Sequence, residues 1–252
     1  PFLVALGIDT QKVLFSACIL LPLIIKNEVY GLLLIGRQHL WKQFTKDDIL
    51  LLQNLVRKAS LAIENKLLNE SVYNNIKNTL HSLVAVIEAR DKYTLTHSLR
   101  VTDYALQIAL ALGCSQEETD ILNSAGHLHD IGKIGISDTI LLKQTRLSDQ
   151  EYKIIRQHPV IGEHILKPLG FLPRERDIIR YHHERWDGNG YPEGLQGEEI
   201  PLLSRILAVA DSFDAMTTDR PYKKALSFEK AVHELLQNKS QFDQNVVNAF
   251  VG

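Results

Sequence analysis

The residues of this 252-residue chain with the clearest chemical potential are histidines and aspartates. An adjacent pair, His129-Asp130, ends a predicted helix, and imidazole with carboxylate suits a first-row divalent metal. His97 lies about 30 residues upstream and Asp211 lies in a helical segment downstream. Three helices can therefore each project a ligand inward, as helical bundles do at metal sites. The order of these four residues predicts one metal site.

Three further imidazoles predict a second ion. His158 and the pair His182-His183 are too many for a single metal that already has four ligands. Two divalent ions about 3.5–4 Å apart can share a bridging hydroxide and stabilise both oxygens of an in-line displacement at phosphorus. This chemistry needs no side-chain nucleophile, so the sequence predicts a binuclear centre for phosphodiester hydrolysis with Asp130 as a catalytic residue.

Two more residues are predicted to contact a phosphorylated substrate. Lys133 follows Asp130 by three residues and is placed to neutralise a non-bridging phosphate oxygen. Tyr191 lies in the Gly-rich loop that follows the histidine pair, and its ring can stack on a base, which contributes about 1–3 kcal/mol. Asp187 and Glu193 are expected to fix this loop through its own backbone.

The remaining polar candidates have structural interpretations. His127 precedes His129 by two residues and points to another helix face, which favours a structural role. Asp214 lies one turn after Asp211, where a hydrogen bond to a ligand histidine is expected. Surface or packing roles are expected for the other histidines, which are His39, His81, His164 and His233.

Composition limits the class of protein. The net charge is −2, with 45% hydrophobic and 23% charged residues, so local cations rather than a global basic field must hold an anionic substrate. No binding of polymeric nucleic acid is expected.

Cys18 and Cys114 predict two buried free thiols in a reducing compartment, the cytoplasm. The longest apolar run, 13–25, is too short to span a bilayer, no signal peptide is visible, and the opening residues suggest a fragment.

Periodicity predicts an α+β chain with two domains, 1–68 and 69–252. Two apolar blocks around Lys26-Asn27-Glu28 predict a hairpin, and Thr45 with Asp48 predicts a capping box at the start of a long helix, interrupted near 69–71. Capping boxes are also predicted at Ser115/Glu118 and Ser148/Glu151. From residue 72 onward the chain is predicted to be helical, with a long loop at 184–202. The predicted helices are 72–90, 97–112, 115–129, 148–168, 174–183, 203–217 and 227–238.

The first segment resembles the C-terminal half of a GAF sensor domain. The similarity lies in "VYGLLLIGRQ" and "FTKDDILLLQNLVRKASLAIENKLL" and covers about residues 13–68. A complete GAF domain needs roughly twice this length, so the resemblance implies a partial sensor domain with a closing helix. The exposed apolar stripe expected on this connector helix suggests a homodimer.

The second segment resembles the HD-GYP branch of the HD phosphohydrolases over about residues 76–250. The motifs are "EARDKYTLTHSLRV", "HLHDIGKIGI", "HPVIGEHIL" and "YHHERWDGNGYPEG", with Gly190-Tyr191-Pro192 as the naming triplet. The resemblance implies one metal on His97, His129, Asp130 and Asp211, and a second on Asp130, His158, His182 and His183. It also implies that Arg220 and Lys223 hold the second phosphate or a guanine of the substrate.

The resemblance implies hydrolysis of cyclic di-GMP to pGpG in bacterial second-messenger signalling, with GMP as a further product, by two ions that are iron or manganese. Family members with a third metal carry a Glu four residues before the first ligand histidine, and here that residue is Tyr93. Two alternatives stay open: hydrolysis of another cyclic dinucleotide such as 3′,3′-cGAMP, and a non-catalytic nucleotide-sensing or interaction module.

Overall fold

A computed structural model describes residues 16–37, 43–90, 96–143, 145–171, 173–219 and 224–252. The chain divides into two compact units, Pro1–Asn75 and Ile76–Gly252. None of the described helices combines the length and the apolar character that crossing a membrane requires.

The first unit contains the predicted hairpin. Strand β1 (Ala17–Ile25) pairs antiparallel with β2 (Glu28–Arg37), and Ile25 lies opposite Glu28. Lys26 and Asn27 form the two-residue turn with φ values of 49° and 64°. Positive φ at both central residues defines a type I′ turn, whose twist matches that of the strands. The predicted hairpin is confirmed.

Helix α1 (Lys46–Arg90) is continuous over 45 residues. Its start is the predicted capping box, because the Thr45 amide donates to Asp48 Oδ2 at 2.9 Å and the Asp48 amide donates to Thr45 Oγ1 at 3.2 Å. The predicted interruption near 69–71 is wrong. Polar residues lower helix propensity by only a few tenths of a kcal/mol each, and the segment has no Gly or Pro to break the hydrogen-bond ladder.

The second unit is a helical bundle, and its predicted helices are largely confirmed. Both further capping boxes form, at Ser115/Glu118 and at Ser148/Glu151. The predicted helix 148–168 is two helices, which a turn at Arg156 and Gln157 separates. The helices that follow α1 are α2 (His97–Ala111), α3 (Gln116–Leu128), α4 (Asp138–Leu141), α5 (Asp149–Ile155), α6 (His158–Leu166), α7 (Pro173–Tyr181), α8 (Leu202–Thr217), α9 (Phe228–Gln237) and α10 (Gln244–Val251).

One apolar core holds these helices together. Side chains from α2, α3, α7 and α8 are almost fully buried in it, among them Val101, Leu122, Ile179, Leu207 and Phe213. The Phe213 ring makes edge contacts with the rings of Tyr104 and Phe250, at centroid distances of 5.2 and 4.7 Å. This core fixes the helices whose ends carry the predicted metal ligands.

The two cysteines are free thiols, as predicted, but the prediction that both are buried is wrong. Cys18 is exposed because it lies on a two-stranded hairpin in which alternate side chains face away from the buried Leu21 and Ile25. Cys114 is partly buried, and burial raises the pKa of its thiol.

Candidate metal centre

The seven predicted metal ligands lie together in the second unit. Their potential ligand atoms form three groups, and the atoms of each group lie within 4.8 Å of one another. Two of these groups have no residue in common, and the third contains one histidine from each of them, His129 and His182. The groups are His97, His129 and Asp211; His158, His182 and His183; and His129, Asp130 and His182.

Helix ends orient three of the histidines. The Nδ1 atoms of His129, His158 and His182 donate to backbone carbonyls three residues earlier, those of Gly126, Ile155 and Ile179, at 2.7, 2.8 and 2.7 Å. These carbonyls lie in the last turns of α3, α5 and α7, where the helix itself supplies no donor. Because a carbonyl only accepts, Nδ1 carries the proton and Nε2 presents a lone pair.

The Nε2 atoms fit a divalent metal. His129 Nε2 is buried and has no hydrogen-bond partner among the described residues. His158 Nε2 and His182 Nε2 face each other at 3.4 Å, although both protons of the neutral rings are at Nδ1. Burial lowers the pKa of both His129 and His182, which disfavours a proton between the rings. A divalent cation bound here would satisfy these buried lone pairs.

Asp130 lies between the two imidazole groups. Its Oδ1 is 3.3 Å from His158 Nε2, whereas its Oδ2 is 3.6 Å from His129 Nε2 and 3.8 Å from His97 Nε2. Lys133 Nζ donates to Oδ2 at 2.5 Å. Burial alone would raise the pKa of Asp130, but Lys133 and the imidazoles keep this pKa well below its ordinary value. The carboxylate is therefore ionised, with one oxygen toward each group.

His97 is the first residue of α2 and is held from both sides. Its Nε2 lies 3.3 Å from Asp211 Oδ1, and its Nδ1 lies 2.7 Å from Asp214 Oδ2. Arg100 donates to Asp214 through Nε at 2.5 Å and Nη2 at 2.9 Å. Burial would lower the pKa of His97, but the hydrogen bonds to Asp211 and Asp214 raise it to about 10. The expected contact between Asp214 and a ligand histidine is confirmed.

Sequence reasoning missed Glu88, which fixes the start of α2. The preceding residue Thr96 has φ 66° and its side chain makes no capping hydrogen bond. Instead, the Ser98 amide donates to Glu88 Oε1 at 2.8 Å, and Glu88 is buried. A carboxylate is favourable at a helix N-terminus. The end of α1 therefore supplies the cap beside His97, and the lack of a capping box at 96–99 is the signal that pointed to an external partner.

Replacement of Glu88 by Ala is expected to destabilise the second unit by about 1–2 kcal/mol, the usual effect of losing a helix cap. The melting temperature should fall by several degrees, and the affinity for Mn(II) should fall because His97 loses its fixed position. Circular dichroism melts and Mn(II) titration measure the two effects. Glu70→Ala is the matched control, since Glu70 is exposed on the same helix and makes only a 4.0 Å surface ion pair. Equal behaviour of the two variants would contradict the assigned role.

Glu184 organises the loop after the histidine pair, and sequence reasoning missed it too. Its buried carboxylate accepts hydrogen bonds from the backbone amides of Glu193, Gly194 and Leu195, at 2.8, 3.1 and 3.1 Å. Burial raises the pKa of Glu184, although these amides oppose the shift. Gly190 closes the loop onto this residue, because a Cβ there would collide with the backbone of Glu184 and Arg185.

The two acidic residues expected to fix the loop differ. Asp187 accepts from the Asn189 amide at 3.0 Å, which confirms its expected role. The prediction for Glu193 is wrong, because its carboxylate accepts from Arg180 Nε at 3.0 Å instead. Glu184 already takes the loop amides, so the Glu193 side chain is left to pair at the surface.

Tyr191 and Lys133 both lie beside the ligand cluster. The Tyr191 ring is 4.8 Å from the ring of His183, between centroids, and burial raises the pKa of its hydroxyl. Four residues with predicted roles, Arg220, Lys223, Tyr93 and His39, lie outside the described residues.

Among the described residues, the histidines that were given structural roles belong to none of the ligand groups; they are His81, His127, His164 and His233. His127 lies off the cluster, as expected, donates to the Asn123 carbonyl at 2.8 Å and stacks on His81 at 4.8 Å. His164 and His233 are exposed.

Comparison with known proteins identifies the family. Residues 81–246 match the model of the HD domain, and the chain belongs to this family. The chain is 41% identical over 202 residues to the "cyclic di-GMP phosphodiesterase response regulator RpfG" of Xanthomonas campestris, covering 78% of this chain and 53% of that protein. It is 35% identical over 202 residues to "3'3'-cGAMP-specific phosphodiesterase 2" of Vibrio cholerae, covering 79% and 39%. The chain thus spans about half the length of these relatives, or less.

Solved structures support the fold. A chain titled as a HDG"Y"P protein, Bd1817 of Bdellovibrio bacteriovorus, matches with a TM-score of 0.54 at 21% identity, over 71% of this chain and 62% of that one. A cyclic GMP-AMP phosphodiesterase of Vibrio cholerae matches with the same TM-score and identity, over 69% of this chain and 47% of that one. These likenesses show the helical HD fold of the second unit.

Proposed function

We propose that this chain is an HD-GYP phosphodiesterase that hydrolyses the 3′–5′ phosphodiester bond of cyclic di-GMP to pGpG, with GMP as a further product. The observation that carries the proposal is the position of the Asp130 carboxylate between the rings of His129 and His158, whose Nδ1 atoms donate to backbone carbonyls and whose Nε2 atoms therefore present lone pairs. The relatives, a cyclic di-GMP phosphodiesterase and a 3'3'-cGAMP-specific phosphodiesterase, supply the substrate class. The net charge of −2 favours a small anionic substrate over a nucleic-acid polymer.

The proposed centre holds two divalent ions, iron or manganese. One is assigned to His97, His129, Asp130 and Asp211, and the other to Asp130, His158, His182 and His183. When bound, such ions supply charge stabilisation at phosphorus and activate water for in-line attack.

The side chains of this chain bind and orient the reacting groups. Lys133 contacts the Asp130 carboxylate, and its side chain is one-quarter exposed. Its ammonium can therefore also reach a non-bridging oxygen of a phosphate bound beside Asp130. Asp214 and Arg100 hold the His97 ring, which keeps Nε2 directed toward Asp211. Glu184 holds the loop through its backbone amides, and this loop places the Tyr191 ring against the ring of His183.

The test is turnover by metal-loaded protein. Protein reconstituted anaerobically with Fe(II), or with Mn(II), is incubated with cyclic di-GMP and in parallel with 3′,3′-cGAMP, and the products are separated by chromatography. We expect pGpG from cyclic di-GMP, no product after treatment with a chelator, and recovery when metal is returned. Faster turnover of 3′,3′-cGAMP would favour the second candidate, which the similarity to the Vibrio cholerae enzyme supports. Binding without turnover would indicate a sensing module.

We further propose that residues 1–68 are the closing part of a GAF-like sensor domain and that two chains associate through α1. Support comes from the exposed leucines on α1, which are Leu50, Leu51, Leu55, Leu61 and Leu68 at 59, 69, 58, 51 and 52% exposure. Contiguous exposed apolar surface marks interaction sites. Light scattering of the whole chain should give the mass of a dimer, and removal of residues 1–68 should reduce it. Equal association of the two proteins would contradict the proposal.

A further inference from the structure

Arg156 is a partly buried guanidinium between aromatic rings. Its Cζ lies 4.5 Å from the ring centroid of Tyr191 and 5.6 Å from that of Tyr152. Its Nη2 donates to the Gly190 carbonyl at 3.3 Å, and its Nε is buried without a hydrogen-bond partner in the described part of the chain. Cation–π contact and one long hydrogen bond hold the group in place and leave donors unused.

The neighbouring arginines differ from Arg156 in having a carboxylate partner. Arg180 pairs with Glu193, Arg185 with Asp187 and Arg176 with Glu163, at 2.5, 2.7 and 2.8 Å. No ion pair joins Arg156 to a carboxylate of residues 16–37, 43–90, 96–143, 145–171, 173–219 or 224–252. A partly desolvated cation with unused donors favours an anion, and the guanidinium fork matches phosphate oxygens.

The position of Arg156 suits the part of the substrate that does not react. Arg156 precedes His158 by two residues, and Tyr191 contacts both the guanidinium and the His183 ring. The guanidinium therefore lies one aromatic ring away from the His158, His182 and His183 group. A cyclic dinucleotide carries two phosphates on opposite sides of its ring, so one phosphate at the metal centre leaves the other displaced to one side.

We propose that Arg156 binds the non-reacting phosphate of the cyclic dinucleotide and that Tyr191 supports this guanidinium. The inference rests on the proposed function and extends it, because it adds a residue between α5 and α6 to Arg220 and Lys223, for which the family resemblance implies contact with the second phosphate or a guanine. Stacking of a base on Tyr191 stays a prediction. Because the Arg156 guanidinium lies over the Tyr191 ring, such a base would have to contact the part of the ring that Arg156 leaves uncovered.

Substrates with one and two phosphates test the inference. Arg156→Met, Arg156→Lys and wild type are compared, fully loaded with Mn(II), on cyclic di-GMP and on bis(p-nitrophenyl) phosphate, a diester with a single phosphate. For Arg156→Met we expect KM for cyclic di-GMP to rise about 10- to 100-fold, the loss typical of a charge-assisted hydrogen bond. We expect kcat to change little and the KM for the single-phosphate diester to stay the same.

Three controls separate recognition from folding. Arg146→Met removes an exposed arginine and should match wild type. Arg156→Lys retains the charge but not the planar fork and should recover only part of the affinity, while melting temperatures report the integrity of both Arg156 variants. An unchanged KM for cyclic di-GMP, or equal losses on both substrates, would overturn the assignment alone. Absence of cyclic di-GMP turnover in the wild type would instead overturn the proposed function, and this inference with it.

Discussion

Asp130→Asn is expected to lower cyclic di-GMP turnover by about a thousandfold or more, equivalent to several kcal/mol of lost transition-state stabilisation. The carboxylate directs one oxygen toward His158 and the other toward His129 and His97. Asparagine keeps the shape of the side chain but is neutral and offers one acceptor oxygen and one NH₂ group, which only donates. It therefore cannot serve both groups, and it also removes the ionic partner of Lys133.

Metal content distinguishes a lost site from a lost fold. Elemental analysis should give markedly less metal per chain for Asp130→Asn than for wild type, with helix content unchanged in circular dichroism. Asp103→Asn, an exposed change on α2, is the matched control and should retain both metal and activity. A variant at position 130 that kept full metal and turnover would show that the site is assigned to the wrong residues.

Gly132→Ala is expected to destabilise the second unit by about 3–5 kcal/mol, in the range of severe steric changes. A Cβ at this position would collide with the carbonyl of His158 and lie 2.6 Å from the backbone nitrogen of Gly162. These are backbone atoms of α6, so no rotamer change relieves the overlap. The segment after Asp130 would have to move away from α6, which separates Asp130 from His158 and weakens metal binding.

Gly135→Ala is a close control for this substitution. It adds the same methyl group three residues later in the same 3-10 segment, where the nearest atoms are 3.2 Å away and belong to the side chain of Ile161 rather than to backbone. Thermal melts should show a loss of about 10 °C for Gly132→Ala. The loss for Gly135→Ala should be small. Similar melting temperatures for the two variants would mean that α6 yields more easily than the packing suggests.

Local sequence signals predicted much of this fold. The boxes at Ser115/Glu118 and Ser148/Glu151 are complete within four residues, so the helix starts that depend on them are readable from the chain alone. The predicted histidine and aspartate ligands could be selected for a related reason, because their residue types are rare in apolar helices and their order is informative, and the structure brings them together.

Contacts between distant segments were not readable. Glu88 caps a helix that begins after an intervening segment, and Glu184 collects amides nine to eleven residues further along. Arg156 is distinguished by the lack of a carboxylate partner within the described part of the chain, and that depends on how α5, α6 and the loop pack. The exposure of Cys18 likewise depends on which residues cover the hairpin, which no residue pattern within the hairpin specifies.

The hydrogen bonds from His129, His158 and His182 to the last turns of α3, α5 and α7 bear on the order in which the protein folds and binds metal. In many small metalloproteins the ion organises the chain, and folding and metal binding are one event. Here the ligand rings take their orientation from helix ends that form with the core. We therefore expect the chain to complete its fold before it binds a metal, so that metal loading is a separate step after folding.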